Sequence, residues 1–256
     1  MSINILNEFE IENAIVCGSL LAKVMKKIEA SLQIGITTYE IDQISEKTMS
    51  ELGLHSAFKN YIVPGIGAYP TATCLSINEE IVHGIPSRKR ILREGDIISV
   101  DIGAEYHGIY TDMAATFAIG KISKEAANLI ETTKDALEKG IEQTCAGNSI
   151  GDVGHAIEIF ATNKGMGVVR EYVGHGIGTK PHLPPQIPNY GSPGTGPALK
   201  EGMALAIEPM LTLGQPETRV LSDRWTVVTQ DKSLAAHFEH TVIIIGGRPR
   251  VVTKTE

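Results

Sequence analysis

The hydrophobic pattern of this chain passes from a helical to a strand period and then repeats the passage. Ile11, Ile15, Leu20, Leu21, Val24, Met25 and Ile28 recur at roughly helical spacing, with Glu and Lys between them. Gln33-Ile34-Gly35 reads as a turn. Thr37-Thr38 ahead of Glu40 reads as the start of a second amphipathic helix, which runs to about Leu52. Pro64, Gly65, Gly67 and Pro70 mark an irregular loop. From 73 to 117 the segments CLSIN, EIVHGI, DIISVDIGAEY and AATFAIG read as strands. Helical spacing returns over 124–144 and 150–163. The strand-like segments VVREYVGHGIG, MALAIEPMLTL, RWTVVTQ, HFEHTVIII and RVVTK follow.

Helix, helix and strands thus occur twice, divided near residue 121. The order predicts an α+β fold with two similar halves, about 1–121 and 122–256, packed face to face as a single domain. Composition adds few exclusions. With 256 residues, 42% hydrophobic and 21% charged, the chain is long enough to bury a sizeable core. A net charge of -7 argues against bulk binding to nucleic acid, although a local basic patch stays open. Cys17, Cys74 and Cys145 are too few and too scattered for a disulfide framework, which suggests a reducing compartment. The start MSINILNEFEIENA carries no secretory pattern, and no apolar run reaches the length of a membrane span. A cytoplasmic location with no membrane association is the expectation.

Within the strand-like segments stand five residues suited to metal: Asp101 in SVDIG, Asp112 in YTDMA, His175 in GHGIG, Glu208 in AIEPM and Glu239 in HFEHT. Four carboxylates and an imidazole form a hard, oxygen-rich donor set. If they meet in a dry cleft, cations must neutralise them, and the ligand count suits two divalent ions. VDIGAEYHGIYTDM fits a hairpin turning near His107-Gly108, which lets both Asp side chains reach one ion pair; a surface hairpin with exposed Asp is the alternative. Glu208 lies in a near-continuous apolar run with no evident charge partner. Glycines on both sides of His175 suggest close approach of a metal or substrate to the backbone.

The frames TCLSINEEIVHGIP, DIISVDIG, YTDMAATF, YVGHGIG, IPNYG, MALAIEPM and AHFEHTV resemble those of type I methionine aminopeptidases, which share the pita-bread fold with prolidase and proline-specific aminopeptidases. The likeness covers essentially the whole chain from about residue 10. It implies two pseudo-symmetric halves, with central antiparallel sheets covered by helices. It also implies removal of the initiator methionine from nascent polypeptides whose second residue is small. By the same resemblance, Asp112 and Glu239 bridge two metals, Asp101 serves one, and His175 and Glu208 serve the other. The ions are Co, Mn, Fe or Zn. Two ions about 3.5–4 Å apart can share a hydroxide as the nucleophile. Glu208 then shuttles its proton. His83 contacts the substrate near its amino end, and His182 contacts the scissile amide. Cys74 and Trp225 match pocket positions, with Tyr69, Tyr61 and Phe58 lining the same region. A monomer is implied as well.

Two features depart from the family. The loop 62–68 between Tyr61 and Tyr69 is longer, and Leu183 replaces a carboxylate beside His182. Alternative readings are a proline-specific aminopeptidase or dipeptidase, and a non-catalytic pita-bread binding module. The turn Arg88-Lys89-Arg90, with Arg93 close by, offers contacts to ribosomal RNA phosphates.

Overall fold

Helices form where the helical period and the capping residues agree. In the computed structural model, which describes residues 3–254, they are α1 (Glu8–Glu29), α2 (Thr38–Glu51), α3 (Lys124–Glu142) and α4 (Ile150–Asn163). Asn7 with Glu10 and Thr37 with Glu40 form reciprocal caps, each satisfying two otherwise unpaired amides. Ser123 caps α3, and Ser149 with Asp152 caps α4. Such caps each contribute about 1 kcal/mol.

The architecture is α+β. A nine-stranded antiparallel sheet runs, in spatial order, through His55–Ser56, Ile97–Tyr106, Ile109–Ala118, Glu239–Ile245, Ala204–Ile207, Gly174–Gly176 and Leu183–Ile187. Cys74–Ile77 and Arg248–Val251 add to it at the sides. Strands from early and late in the chain join where Glu239–Ile245 pairs with Ile109–Ala118. The hairpin Ile97–Tyr106/Ile109–Ala118 closes through His107 (φ 49°) and Gly108 (φ 80°), the left-handed pair a tight two-residue loop demands. Alternation then sorts the strand residues. Ile98, Val100, Ile102 and Ala104 pack with Leu21, Met25 and Ile28 of α1 and with Ile41 of α2. Leu205, Ile207, Val242 and Ile244 pack with Leu129, Leu137, Val153 and Ile157 of α3 and α4. The other strand face is turned away from the helices except at its far end, where Ala204 and Ile243 pack with Ala14 of α1.

Three long apolar runs do not form the single strands their pattern predicts. VVREYVGHGIG is reduced to Gly167–Val168 and Gly174–Gly176. MALAIEPMLTL breaks after Ile207, and the run into HFEHTVIII breaks at Phe238. In each case one piece joins the large sheet and the other joins a small three-stranded sheet of Ala235–His237, Met210–Thr212 and Gly167–Val168. Both pieces are buried, so hydrophobicity carries no mark of the switch. The segment read as an irregular loop is a small hairpin, Ile62–Val63 with Gly67–Ala68, turning through Gly65 (φ 79°). The strands Leu183–Ile187 and Thr218–Val220 have no counterpart in the pattern; the first carries two prolines and the second is largely exposed.

The glycines beside His175 also serve a different end from the one expected. A Cβ on Gly174 would stand 2.4 Å from the Ala206 carbonyl oxygen, and one on Gly176 2.3 Å from that of Pro184. They admit neighbouring strand backbones, not a metal or a substrate. Gly176→Ala is therefore expected to lower stability by about 1–3 kcal/mol, seen as a lower urea midpoint at unchanged slope. An unshifted midpoint would contradict this packing.

Candidate metal centre and substrate cavity

Directly opposed residues on neighbouring strands point to the same face. Ala114 is opposed to Asp101 on one side and to Glu239 on the other, and Asp101 is opposed in turn to Cys74. Cys74, Asp101, Ala114 and Glu239 thus form a row across the large sheet. Asp112 lies two residues from Ala114, on the same face. Farther along, His175 is opposed to Ala206 and Ala206 to Thr241, which is two residues from Glu239. Glu208 follows Ala206 by two, just past the strand end. The five candidate ligands therefore share the face that the helices leave uncovered. Ala114 and Ala206 between them are too small to fill the space, and Gly103 gives its place to the Phe58 ring, 2.8 Å from where a Cβ would stand.

Backbone clamps hold this arrangement. The Thr241 hydroxyl accepts from the Asp112 amide and donates to the Asp112 carbonyl, both at 2.8 Å. Asn189, fully buried, donates to the Glu208 carbonyl at 3.0 Å. His175 Nδ1 pairs with the Gly176 carbonyl at 3.0 Å; this assigns its proton to Nδ1 and leaves Nε2 facing Glu208 Oε1 at 3.6 Å. Asn189 stood in the quoted IPNYG frame without a role, and Thr241 had none.

The electrostatics show what the cluster lacks. Burial, reinforced by Asp112 and Glu208, pushes Asp101 well above the usual carboxylate range. Burial and then Asp112 do the same to Glu208 and Glu239, and burial raises Asp112 to about 7. Burial holds His175 down to about 3 and His83 to about 4, each with a further lowering from His182. Desolvation also lowers His182, although its ring is open to solvent on one side. The carboxyls thus cannot all carry charge on their own, while the imidazoles are neutral donors suited to a metal. Asp101 Oδ1, Asp112 Oδ1 and Glu239 Oε1 are buried with no hydrogen-bond partner. Donor atoms of Asp112, His175 and Glu239 lie within 4.8 Å of one another, as do those of Glu208, His237 and Glu239. Buried, unpartnered oxygen atoms at this spacing fit divalent ions. His237 stands two residues before Glu239 and was not among the sequence's candidate ligands.

The cluster floors one end of a cavity of about 330 Å³, and Phe58, Tyr69, Cys74, Val82 and Trp225 line the rest with apolar surface. Tyr69 meets Trp225 edge-on with ring centroids 5.1 Å apart. His182, on the loop before Leu183, lies with its ring centroid 4.4 Å from that of His175 and 5.1 Å from that of Tyr61, tilted against both. Leu183 itself starts a strand opposite Gly176. His83 lines the wall beside Tyr172, held at φ 61° in the left-handed region. Gly84 beyond it touches the Leu75 backbone so closely that a Cβ would meet its oxygen at 2.2 Å. Tyr61 lines the mouth with Val63, on the small hairpin, which the sequence did not single out. Away from the cavity, Arg90 is not a free cation: its guanidinium pairs with Glu80 and donates to the Ile85 carbonyl. Arg88, Lys89 and Arg93 are exposed, with Arg88 stacked on Tyr39.

Comparisons with known proteins agree with this geometry. Residues 12–245 match the pattern of metallopeptidase family M24. A methionine aminopeptidase of Clostridium acetobutylicum is 46% identical over 250 residues, covering 98% of each chain. The crystal structure of a Thermotoga maritima methionine aminopeptidase superposes with a TM-score of 0.95 at 41% identity, covering 99% of this chain and 100% of that one. A prolidase from Pyrococcus horikoshii shares the fold, with a TM-score of 0.78 at 21% identity over 98% of this chain and 64% of its own. The architecture is the pita-bread fold, and no described helix is long and apolar enough to cross a membrane. The chain belongs to metallopeptidase family M24, and its sequence places it beside the type I methionine aminopeptidases.

Proposed function

We propose that the protein hydrolyses the amino-terminal methionine from polypeptides with a small second residue. One observation carries this reading: a buried carboxylate and imidazole cluster opens directly into an apolar cavity closed by Phe58, Tyr69, Cys74 and Trp225. That end suits an unbranched thioether, which fills irregular apolar space well. Asp101, Asp112, His175, Glu208 and Glu239 would hold two divalent ions of Mn, Fe, Co or Zn. When bound, the ions supply a Lewis acid for the scissile carbonyl and a water acidic enough to attack at neutral pH.

The remaining steps belong to side chains of this chain. Glu208 is the base that takes the proton of the attacking water and delivers it to the leaving nitrogen. His182, neutral and at the cavity mouth, donates its single N–H to the oxyanion that develops on the carbonyl. His83 lines the wall where the substrate's amino end lies. A closed apolar end admits one terminal side chain and no chain extending past it, which favours exopeptidase over endopeptidase action. A proline-specific reading lacks a matching observation, since full-length likeness lies with the methionine enzymes. A binding-only module would not need five intact donors.

A contact with ribosomal RNA would use Arg88, Lys89 and Arg93, because Arg90 is committed to Glu80. Replacing Lys89 and Arg93 by Glu is expected to weaken co-sedimentation with ribosomes at low salt; intact co-sedimentation removes that contact from the proposal.

Turnover of a Met-Ala-Ser peptide tests the main reading. Glu208→Gln is expected to lower kcat about 10²–10⁴-fold, and EDTA is expected to abolish activity until a divalent ion is restored. Undiminished turnover under either treatment overturns the proposal, as does faster cleavage of an Xaa-Pro dipeptide. His182→Ala is expected to cost about 10²–10³-fold, mainly in kcat; a change confined to KM would assign His182 to substrate binding instead.

A further inference from the structure

His237 is the cluster's unassigned neighbour. Its side chain is buried, 1% exposed, and both ring nitrogens lack an aligned hydrogen-bond partner. A buried imidazole left in that condition is costly unless it does something. Nε2 stands 3.4 Å from Glu208 Oε2, while His175 Nε2 stands 3.6 Å from Oε1 of the same carboxylate. Glu208 is therefore flanked by two imidazoles, one on each oxygen. Only His175 borders the cavity; His237 does not line it.

The position of His237 is over-determined by the backbone. Its residue is opposed to Met210, two residues beyond Glu208, in the small sheet. The Phe238 amide donates to the Pro209 carbonyl at 3.3 Å. Its own amide and carbonyl both pair with the Thr116 hydroxyl at 2.9 Å, and that hydroxyl also meets Ser99 at 2.9 Å. The two segments that leave one sheet for the other, at Glu208-Pro209 and at Phe238, are thus bolted together with the two side chains facing.

We propose that His237 is a positioning residue: its ring N–H holds Oε2 of Glu208 and so fixes the orientation in which Oε1, on the His175 side, acts. This role rests on the proposed function of Glu208 as ligand and base. Contacts of this kind are often long in the free protein and tighten in the working complex. They commonly contribute 10–100-fold to metal affinity or activity.

The test compares His237→Leu, which removes the donor at similar bulk, with His237→Gln, which keeps an N–H within reach. Mn(II) is titrated into the metal-free protein by calorimetry, and kcat and KM are measured separately on Met-Ala-Ser. His237→Leu is expected to weaken metal binding about 10-fold and lower kcat about 10–100-fold with KM nearly unchanged; His237→Gln is expected to restore both to within a few-fold of the parent. A Leu variant that binds metal and turns over like the parent overturns the proposal. So does a Gln variant no better than Leu, which would make the ring itself a ligand or a packing element. If His237→Leu does not fold, His237→Asn, too short to reach Oε2, takes its place. Should the parent protein fail to cleave the peptide, the proposed function falls, while the metal titrations still report whether His237 supports Glu208.

Discussion

Four carboxyl groups brought to one buried sheet face repel one another and resist leaving water, and the rest of the molecule is arranged around that conflict. Each would take up a proton if left alone, as the upward pull of burial on Asp101, Asp112, Glu208 and Glu239 shows. Divalent cations remove the conflict, but only if the donors are already close. The fold supplies that closeness from the backbone: opposed strand positions set the row, Ala114 and Ala206 leave it hollow, and Thr241 and Asn189 tie the main chain of Asp112 and Glu208 in place. The helices then bury the opposite face of the same strands, so the apolar packing that stabilises the sheet also holds the charged face rigid.

The two-sheet switch is the device that gathers donors from distant segments. Glu208, Glu239 and His175 each lie close to a point where the chain passes between the small sheet and the large one. Beside such a crossing, a side chain on the ligand face of the large sheet has the small sheet's segments for neighbours. The same crossings bring His237 against Glu208 from behind. Regular alternation alone would have put His237 and Glu239 side by side on one face.

The other end of the cavity is apolar. Tyr69, Trp225, Phe58 and Cys74 come from loops and short strands far apart in the chain, and they close an apolar recess beside the carboxylates. The segment after Tyr61 folds into a hairpin at the mouth, where the Arg224 guanidinium grips the Gly65 carbonyl and Val63 joins the cavity wall.

Helix positions and ends were legible because spacing and caps are local: Thr37 with Glu40 marks a helix start wherever the chain folds. The hairpin of Asp101 and Asp112 was legible for the same reason, since a strand period on either side of His107-Gly108 leaves little choice of register. The donor identities stood out as charges in apolar frames. The sheet switches were not legible, because a residue buried in the small sheet is as apolar as one buried in the large sheet. The glycines around His175 were misread and the pairing of Arg90 with Glu80 carried no local signal, because close backbone approach and ion pairing depend on which segments meet. Sequence by itself determined the helices, the candidate donors and the family. Only the tertiary structure decided which donor faces which, because the distances between Glu208, His175 and His237 are set by strand crossings between residues tens of positions apart, and no local period encodes them.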